Sequence, residues 1–191
     1  MKKHILTDVD GVLVWWNKAL HDHMEALGYE PIEGTDHHYN LAERYDVTDE
    51  KLFEIVAEFN QSHAIENLQP IADSQRNVKI LAEMGYRFTA ITSLGDDPAS
   101  IRYRKKNLHK LFGDVFDDII HLPLIAPKDD ILKNWEGQGL PWVEDHFDNA
   151  LAGHNVGLKS MLVDLPYNRH KHHEAIQRVV CWNDIRERIT K

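Results

Sequence analysis

Cysteine is nearly missing from this chain: Cys181 stands alone among 191 residues. No disulfide can therefore form within it, and a reducing cytoplasm is the expected setting. Long apolar runs are missing too. None approaches the roughly 20 residues that a membrane-spanning helix needs, so no membrane partner is expected. The opening Met1-Lys2-Lys3-His4-Ile5-Leu6-Thr7-Asp8 turns acidic too early for a secretory signal. Basic charge is in deficit: 22 Lys and Arg face 31 Asp and Glu, a formal net charge of −9, which argues against nucleic acid as the main partner. Internal repeats and low-complexity tracts are lacking as well. What is present, 42% hydrophobic and 28% charged residues, suits one substantial α/β core with a small accessory unit.

Hydrophobic periodicity sets the order of elements. Residues 4–9 form a short apolar run that stops at Asp8-Val9-Asp10-Gly11, a buried strand ending in a glycine turn. A helix is expected from Asn17 as N-cap, with Leu20, Met24 and Leu27 on one face and Gly28 closing it. Residues 29–50 read as loop or short helix. Leu52, Ile55, Val56 and Phe59 then give a helical stripe over 50–63, and another helix runs from Ser74 to Met84. Tyr86 to Thr92 is the second strand, followed by a helix capped by Asp97-Pro98 and ended by Gly113. Strands near 117–122, 141–144, 160–163 and 179–182 alternate with helices near 128–136, 147–156 and 183–190.

This alternation predicts an α/β three-layer sandwich on a central parallel, Rossmann-like sheet covered on both faces. Residues 15–72 break the rhythm with helix only and read as a small helical cap inserted after the first strand. The expected division is thus a core of 1–14 and 73–191 with a cap of 15–72. The basic cluster Arg102, Arg104, Lys105, Lys106 and Lys110 falls in a helix and reads as a solvated face. Among 13 histidines, the group His170, His172 and His173 lies in a polar stretch and reads as a solvated loop.

Ligands of such sheets bind at the carboxyl ends of the strands. Four segments bring reactive groups to that edge. Asp8 and Asp10 straddle the end of the first strand, and Gly11 permits the tight exit. Val12 and Leu13 follow, not the acidic ladder of a calcium loop. Thr92-Ser93 places hydroxyls after the second strand, Lys128 precedes a helix, and Glu144-Asp145 with Asp148 ends a later strand. Singly, each has an ordinary reading as a turn, cap or surface charge. Together they supply carboxylates for a hard cation, donors for phosphate oxygens and a positive point charge, which metal-assisted phosphoryl transfer requires.

On those residues the chain resembles the haloacid dehalogenase (HAD) superfamily, whose four motifs match Asp8-x-Asp10, Thr92, Lys128 and Glu144-Asp145, over essentially its whole length. The resemblance implies an Mg²⁺-dependent phosphatase in which Asp8 is the nucleophile and Asp10 the general acid and then base. It implies that Thr92, the Ser93 amide and Lys128 hold phosphate. Mg²⁺ would be held by the Asp8 side chain, the Asp10 carbonyl and Asp145, with Asp148 as ligand or outer partner. Where the family usually carries Gly-Asp or Asp-Asp, this chain has Glu144-Asp145. Glu144 is expected either to point outward or to intrude on the metal shell.

Within the superfamily the chain is most similar to the 5'(3')-deoxyribonucleotidases. The likeness runs through Asp36, Tyr39-Asn40-Leu41 and Leu68-Gln69-Pro70, then Arg104-x-x-Asn107-Leu108 and Leu165-Pro166-Tyr167-Asn168-Arg169. It implies a nucleoside monophosphate as the small phosphorylated partner, with cap aromatics stacking on the base. Trp15, Trp16, Tyr39, Phe53 and Phe59 are the candidates, although Phe53 and Phe59 also read as cap core. Two alternatives stand beside it: a phosphatase for a sugar phosphate or phosphoglycolate, and a nucleotide-binding module without turnover. No residue requires a homodimer over a monomer.

Overall fold

Residues 3–191 are described by the structure, a computed structural model of the chain; Met1 and Lys2, counted above in the expected core and in the chain start, lie outside the described residues. Strands β1 (His4–Thr7), β2 (Arg87–Thr92), β3 (Phe116–His121), β4 (Pro141–Glu144), β5 (Lys159–Val163) and β6 (Gln177–Val179) form one sheet in the order β3-β2-β1-β4-β5-β6. Every neighbouring pair is parallel. Parallel neighbours cannot be joined by hairpins, so each connection must cross over the sheet. Helices α1 (Trp16–Ala26), α2 (Leu41–Tyr45), α3 (Asp49–Asn60) and α4 (Ser74–Glu83) lie between β1 and β2. After them come α5 (Pro98–Phe112), α6 (Asp129–Leu132), α7 (Phe147–Asn155) and α8 (Trp182–Thr190).

Alternate residues of the inner strands feed two separate cores, as a strand covered on both faces demands. Ile5, Phe88 and Val143 pack with Val78 and Leu81 of α4, Leu108 of α5 and Trp182 and Ile185 of α8. Their strand neighbours Leu6, Ile91 and Trp142 face the other way, against Leu132 of α6 and Ala152 of α7. The architecture is therefore the three-layer α/β arrangement with a parallel Rossmann-like sheet. Among the described residues no helix is long and apolar enough to cross a membrane.

Between β1 and α4 the described chain is helix and loop, and it leaves and returns along one pair of extended segments. The Trp15 N–H donates to Gln69 O at 2.9 Å and the Ile71 N–H to Leu13 O at 2.9 Å. This pairing fixes the start of α1. The helix begins at Trp16 after Trp15, which makes no side-chain cap, so Asn17 is not the N-cap. Tertiary pairing outweighs the local capping preference of asparagine. The next helix behaves as its sequence suggests: Thr48 accepts from the Lys51 N–H and caps α3.

Phe59 is buried in the core, whereas Phe53, two turns earlier on a different face, is 49% exposed and so is not core. The helix expected over 128–136 is shorter, because α6 tightens into a 3₁₀ turn at Lys133–Trp135. The last strand ends at Val179, and Cys181 is the N-cap position of α8.

Trp182 ties this core to the first loop: its indole N–H donates to Val12 O at 2.7 Å and its ring is almost fully buried. Trp182→Ala is expected to cost about 3–5 kcal/mol, read as a lowered urea midpoint with an unchanged slope. A loss below about 1 kcal/mol would mean the site loop is held by something else.

Candidate active site

The strand order reverses at β1, so the loops after β1, β2 and β4 converge on one edge. Asp8 is the first residue past β1. Its N–H still donates to Val143 O at 2.8 Å, which sets it level with the end of β4. The chain then winds once: the N–H groups of Leu13 and Val14 both donate to Val9 O, at 2.8 and 3.1 Å. Gly11 sits in this turn at φ +80°, and a Cβ there would lie 2.3 Å from Asp145 Oδ2. Glycine is thus needed both for the backbone conformation and for the close approach of Asp145.

Lys128, just ahead of α6, is buried between two carboxylates. Its Nζ donates to Asp8 Oδ1 at 2.5 Å and to Glu144 Oε2 at 2.8 Å. The other Glu144 oxygen accepts from the N–H groups of Asp145 and His146, both at 3.0 Å. Glu144 therefore points inward, fully buried, and acts as the counter-charge to Lys128 rather than turning to solvent. Asp145 completes the group. Its Oδ2 accepts a hydrogen bond from the Tyr167 hydroxyl, and its backbone O accepts from Asn168 Nδ2 at 2.7 Å.

Three buried carboxylates around one ammonium leave an excess of negative charge. Burial and the nearby Glu144 raise the Asp8 carboxyl to about 7, although Lys128 opposes the shift. Burial together with Asp8 and Glu144 holds Asp145 well above the usual carboxylate range. Glu144 is different: burial disfavours its charge, but Lys128 and the donors around it hold it below its ordinary value. Burial likewise opposes the Lys128 charge, and Asp8 and Glu144 overcome it, holding the ammonium above the usual lysine range.

One oxygen each from Asp8, Glu144 and Asp145 lies within 4.8 Å of the others. An all-oxygen donor set carrying uncompensated negative charge fits a small hard divalent cation.

The remaining expected residues divide. Thr92 ends β2 beside Asp10, with Oγ1 3.4 Å from Asp10 Oδ2. The Ser93 hydroxyl is committed to Ala126 O at 2.8 Å. Asp148 does not join the carboxylate cluster: at the start of α7, 63% exposed, it pairs with Lys171 at 3.3 Å and His146 at 3.8 Å. Trp16 packs edge-on against Phe59 and donates its indole N–H to Asn60, so it belongs to the interior of the helical segment. Trp15 is 37% exposed at the head of α1. Tyr39 is the aromatic that reaches the site, its ring 4.5 Å from that of His146 and 5.4 Å from that of Tyr167.

Arg104 overturns its surface reading. It is 0% exposed, and its Nη2 donates to both Asp10 oxygens at 2.7 and 2.8 Å. Five of residues 102–110 are Arg or Lys, but Arg104 and Asn107 lie three apart on the inward side of α5 with Ser100 and Leu108. That periodicity, beside the Arg104-x-x-Asn107-Leu108 likeness, separated Arg104 from its neighbours. Tyr167 and Asn168 carried no signal beyond their place in the Leu165-to-Arg169 resemblance.

Gly11→Ala is expected to weaken divalent-cation binding by about 10- to 100-fold, the scale of a disturbed ligand shell, with folding retained. Isothermal titration of Mg²⁺ into the variant checks this; unchanged affinity would place the cation away from Asp145.

The chain is 27% identical to an uncharacterized 32.4 kDa protein encoded in the Gp30–rIII intergenic region of Enterobacteria phage T4, over an alignment of 99% of this chain and 70% of that protein. No family model matches. Among solved structures, CbbY from Rhodobacter sphaeroides, in complex with phosphate, superposes with a TM-score of 0.63 at 16% identity, covering 97% of this chain and 96% of that one. The D,D-heptose 1,7-bisphosphate phosphatase of B. bronchiseptica, complexed with magnesium and phosphate, gives 0.62 at 16%, over 100% and 98%. A HAD-superfamily hydrolase from Ehrlichia chaffeensis gives 0.55 at 15%, over 100% and 98%. From β1 to α8, the chain shares its fold with these solved structures, one of them a HAD-superfamily hydrolase.

Proposed function

We propose that the chain is an Mg²⁺-dependent phosphomonoester hydrolase working through an aspartyl phosphate on Asp8. The observation that carries this reading is the buried Lys128 ammonium held between Asp8 and Glu144 beside Asp145, at the edge where the strand order reverses. A phosphate dianion repels an anionic nucleophile, so a site for it must gather positive charge around a carboxylate that stays able to attack. Mg²⁺, bound by Asp8, the Asp10 carbonyl and Asp145, would supply the rest of that charge and orient the phosphate oxygens.

The residues then act in two steps. An Asp8 carboxylate oxygen attacks phosphorus in line, the ester P–O bond breaks, and Asp10 gives its proton to the departing oxygen. Water next attacks the aspartyl phosphate, yields a proton to Asp10, and phosphate leaves with Asp8 restored. Lys128, the Thr92 hydroxyl and the Ser93 amide hold the phosphate oxygens through both steps.

In this reading residues 1–14 and 73–191 are the catalytic core and 15–72 the cap that selects the leaving group. A cavity of about 400 Å³ beside Asp145 supports that division, since it is lined by Tyr39, His38 and Glu43 from one part and His146, Phe147, Tyr167 and Lys171 from the other. Its aromatic walls suit a flat base, which favours a nucleoside monophosphate as substrate and a 5'(3')-deoxyribonucleotidase activity. The lone Cys181 suits a cytoplasmic setting. A sugar phosphate is the second reading. It draws on the polar half of the same cavity, His37, His38, His170 and Lys171, and on the sugar bisphosphate for which the similar heptose enzyme is named.

Phosphate release from nucleoside monophosphates and sugar phosphates, with Mg²⁺ and then with EDTA, tests both readings. Release that stops in EDTA and concentrates on deoxynucleotides is expected; release from sugar phosphates alone keeps the mechanism and discards the nucleotidase. Mg²⁺ and nucleotide binding without any release would make the chain a binding module instead. Asp8→Asn is expected to abolish turnover with the fold intact by circular dichroism, and near-normal activity would remove Asp8 as nucleophile. Tyr39→Ala should raise KM for a nucleotide about tenfold, the worth of one stacking contact, and leave kcat within about twofold. An unchanged KM would take the base away from Tyr39.

A further inference from the structure

We propose that Arg104 is the positioning residue of Asp10, fixing the orientation from which Asp10 hands its proton to the leaving oxygen. This rests on the phosphatase reading above and adds to it a residue on a different element. The guanidinium is 0% exposed, and its Nη2 reaches both oxygens of Asp10, at 2.7 and 2.8 Å. Its Nε and Nη1 are buried and meet no acceptor among the described residues, so Asp10 is the sole partner recorded for this side chain. A buried arginine kept only for packing would be served as well or better by an apolar side chain of similar volume. Here the whole buried charge is spent on one carboxylate, two residues beyond the proposed nucleophile.

The support behind Arg104 is rigid. Asp97 caps α5 by accepting from the N–H groups of Ala99 and Ser100 at 2.8 and 3.1 Å. One residue short of a turn beyond Arg104, Asn107 is fully buried and donates through Nδ2 to Leu68 O at 2.9 Å and Glu66 O at 3.3 Å. The helix is thus held at its head and against the chain that returns from the helical segment, and Arg104 projects from the stretch between. Asp10, by contrast, lies in the turn after β1, and among the described residues its only other side-chain hydrogen bond is with Thr92 Oγ1 at 3.4 Å. Without the guanidinium that carboxylate would be free to rotate, and proton transfer demands placement within hydrogen-bond reach of the departing oxygen.

The test separates proton donation from every other role. Arg104→Met and Arg104→Lys are compared with the wild type in a single turnover on two esters. One is p-nitrophenyl phosphate, whose phenolate leaves without a proton. The other is an aliphatic phosphate ester that the wild type hydrolyses. The expected result for Arg104→Met is a loss of about 100-fold or more on the aliphatic ester, the scale of a lost general acid, and under about tenfold on the nitrophenyl ester. KM should be unchanged on both.

Arg104→Lys keeps the buried charge but on a shorter side chain that places its nitrogen differently, and is expected to show a smaller loss confined to the same ester. It also answers the question if the methionine variant fails to fold. Equal losses on both esters, or no loss on either, in a variant with a wild-type melting transition would overturn the assignment. A wild type that releases nothing from either ester would instead sink the phosphatase reading on which it rests.

Discussion

The site depends on burying one ammonium among carboxylates. Three acids at the ends of β1 and β4 could not share a dry edge without a counter-charge, because each desolvated carboxylate costs several kcal/mol when unpaired. Lys128 supplies that charge from a third loop, and Glu144 holds it there by spending one oxygen on the ammonium and the other on two backbone N–H groups. The Asp8 N–H bond to Val143 O brings the two strand ends level, so the arrangement is anchored by the sheet itself. Even so, the balance is incomplete. Burial and the neighbouring carboxylates push Asp8 and Asp145 upward.

The far side of that site is held by a polar chain reaching back to the sheet edge. Asn168 donates to both Asp145 O and Val163 O at 2.7 Å, binding the ends of β4 and β5 together. Arg178 on β6 in turn donates to Asn168 Oδ1 at 2.6 Å and to Asp164 at 2.9 Å. With the amide of Asn168 fixed from two directions, the preceding Tyr167 is set against Asp145. Supports of this kind fix the orientation of a buried carboxylate.

The helical segment is stitched to the sheet at several points rather than at its two ends alone. Asn60 at the end of α3 takes the Trp16 indole N–H at 2.9 Å and donates to Leu94 O at 3.1 Å, joining α1, α3 and the loop after β2. Asn107 of α5 does the same through Glu66 and Leu68. Tyr39 meets His146 and Tyr167, beyond β4 and β5. A loop residue that is 58% exposed thereby becomes a wall of the cavity beside the carboxylates.

Alternating apolar runs were enough to determine the parallel α/β architecture, because strands buried on both faces leave no other pattern. The spacing Asp8-x-Asp10, followed by glycine, determined that two carboxylates leave the first strand together. Helix-only periodicity likewise marked 15–72 as separate from the sheet rhythm. Sequence could not decide which way Glu144 turns, since that depends on Lys128 arriving from 16 positions away. It could not pair Arg104 with Asp10, which lies 94 positions earlier in the chain. Nor could it keep Trp16 out of the cavity and bring Tyr39 into it, which rests on contacts with Asn60 in one case and His146 in the other. Local pattern fixes which faces are buried. Pairing of charges and rings across distant segments is decided only when the sheet brings those segments to one edge.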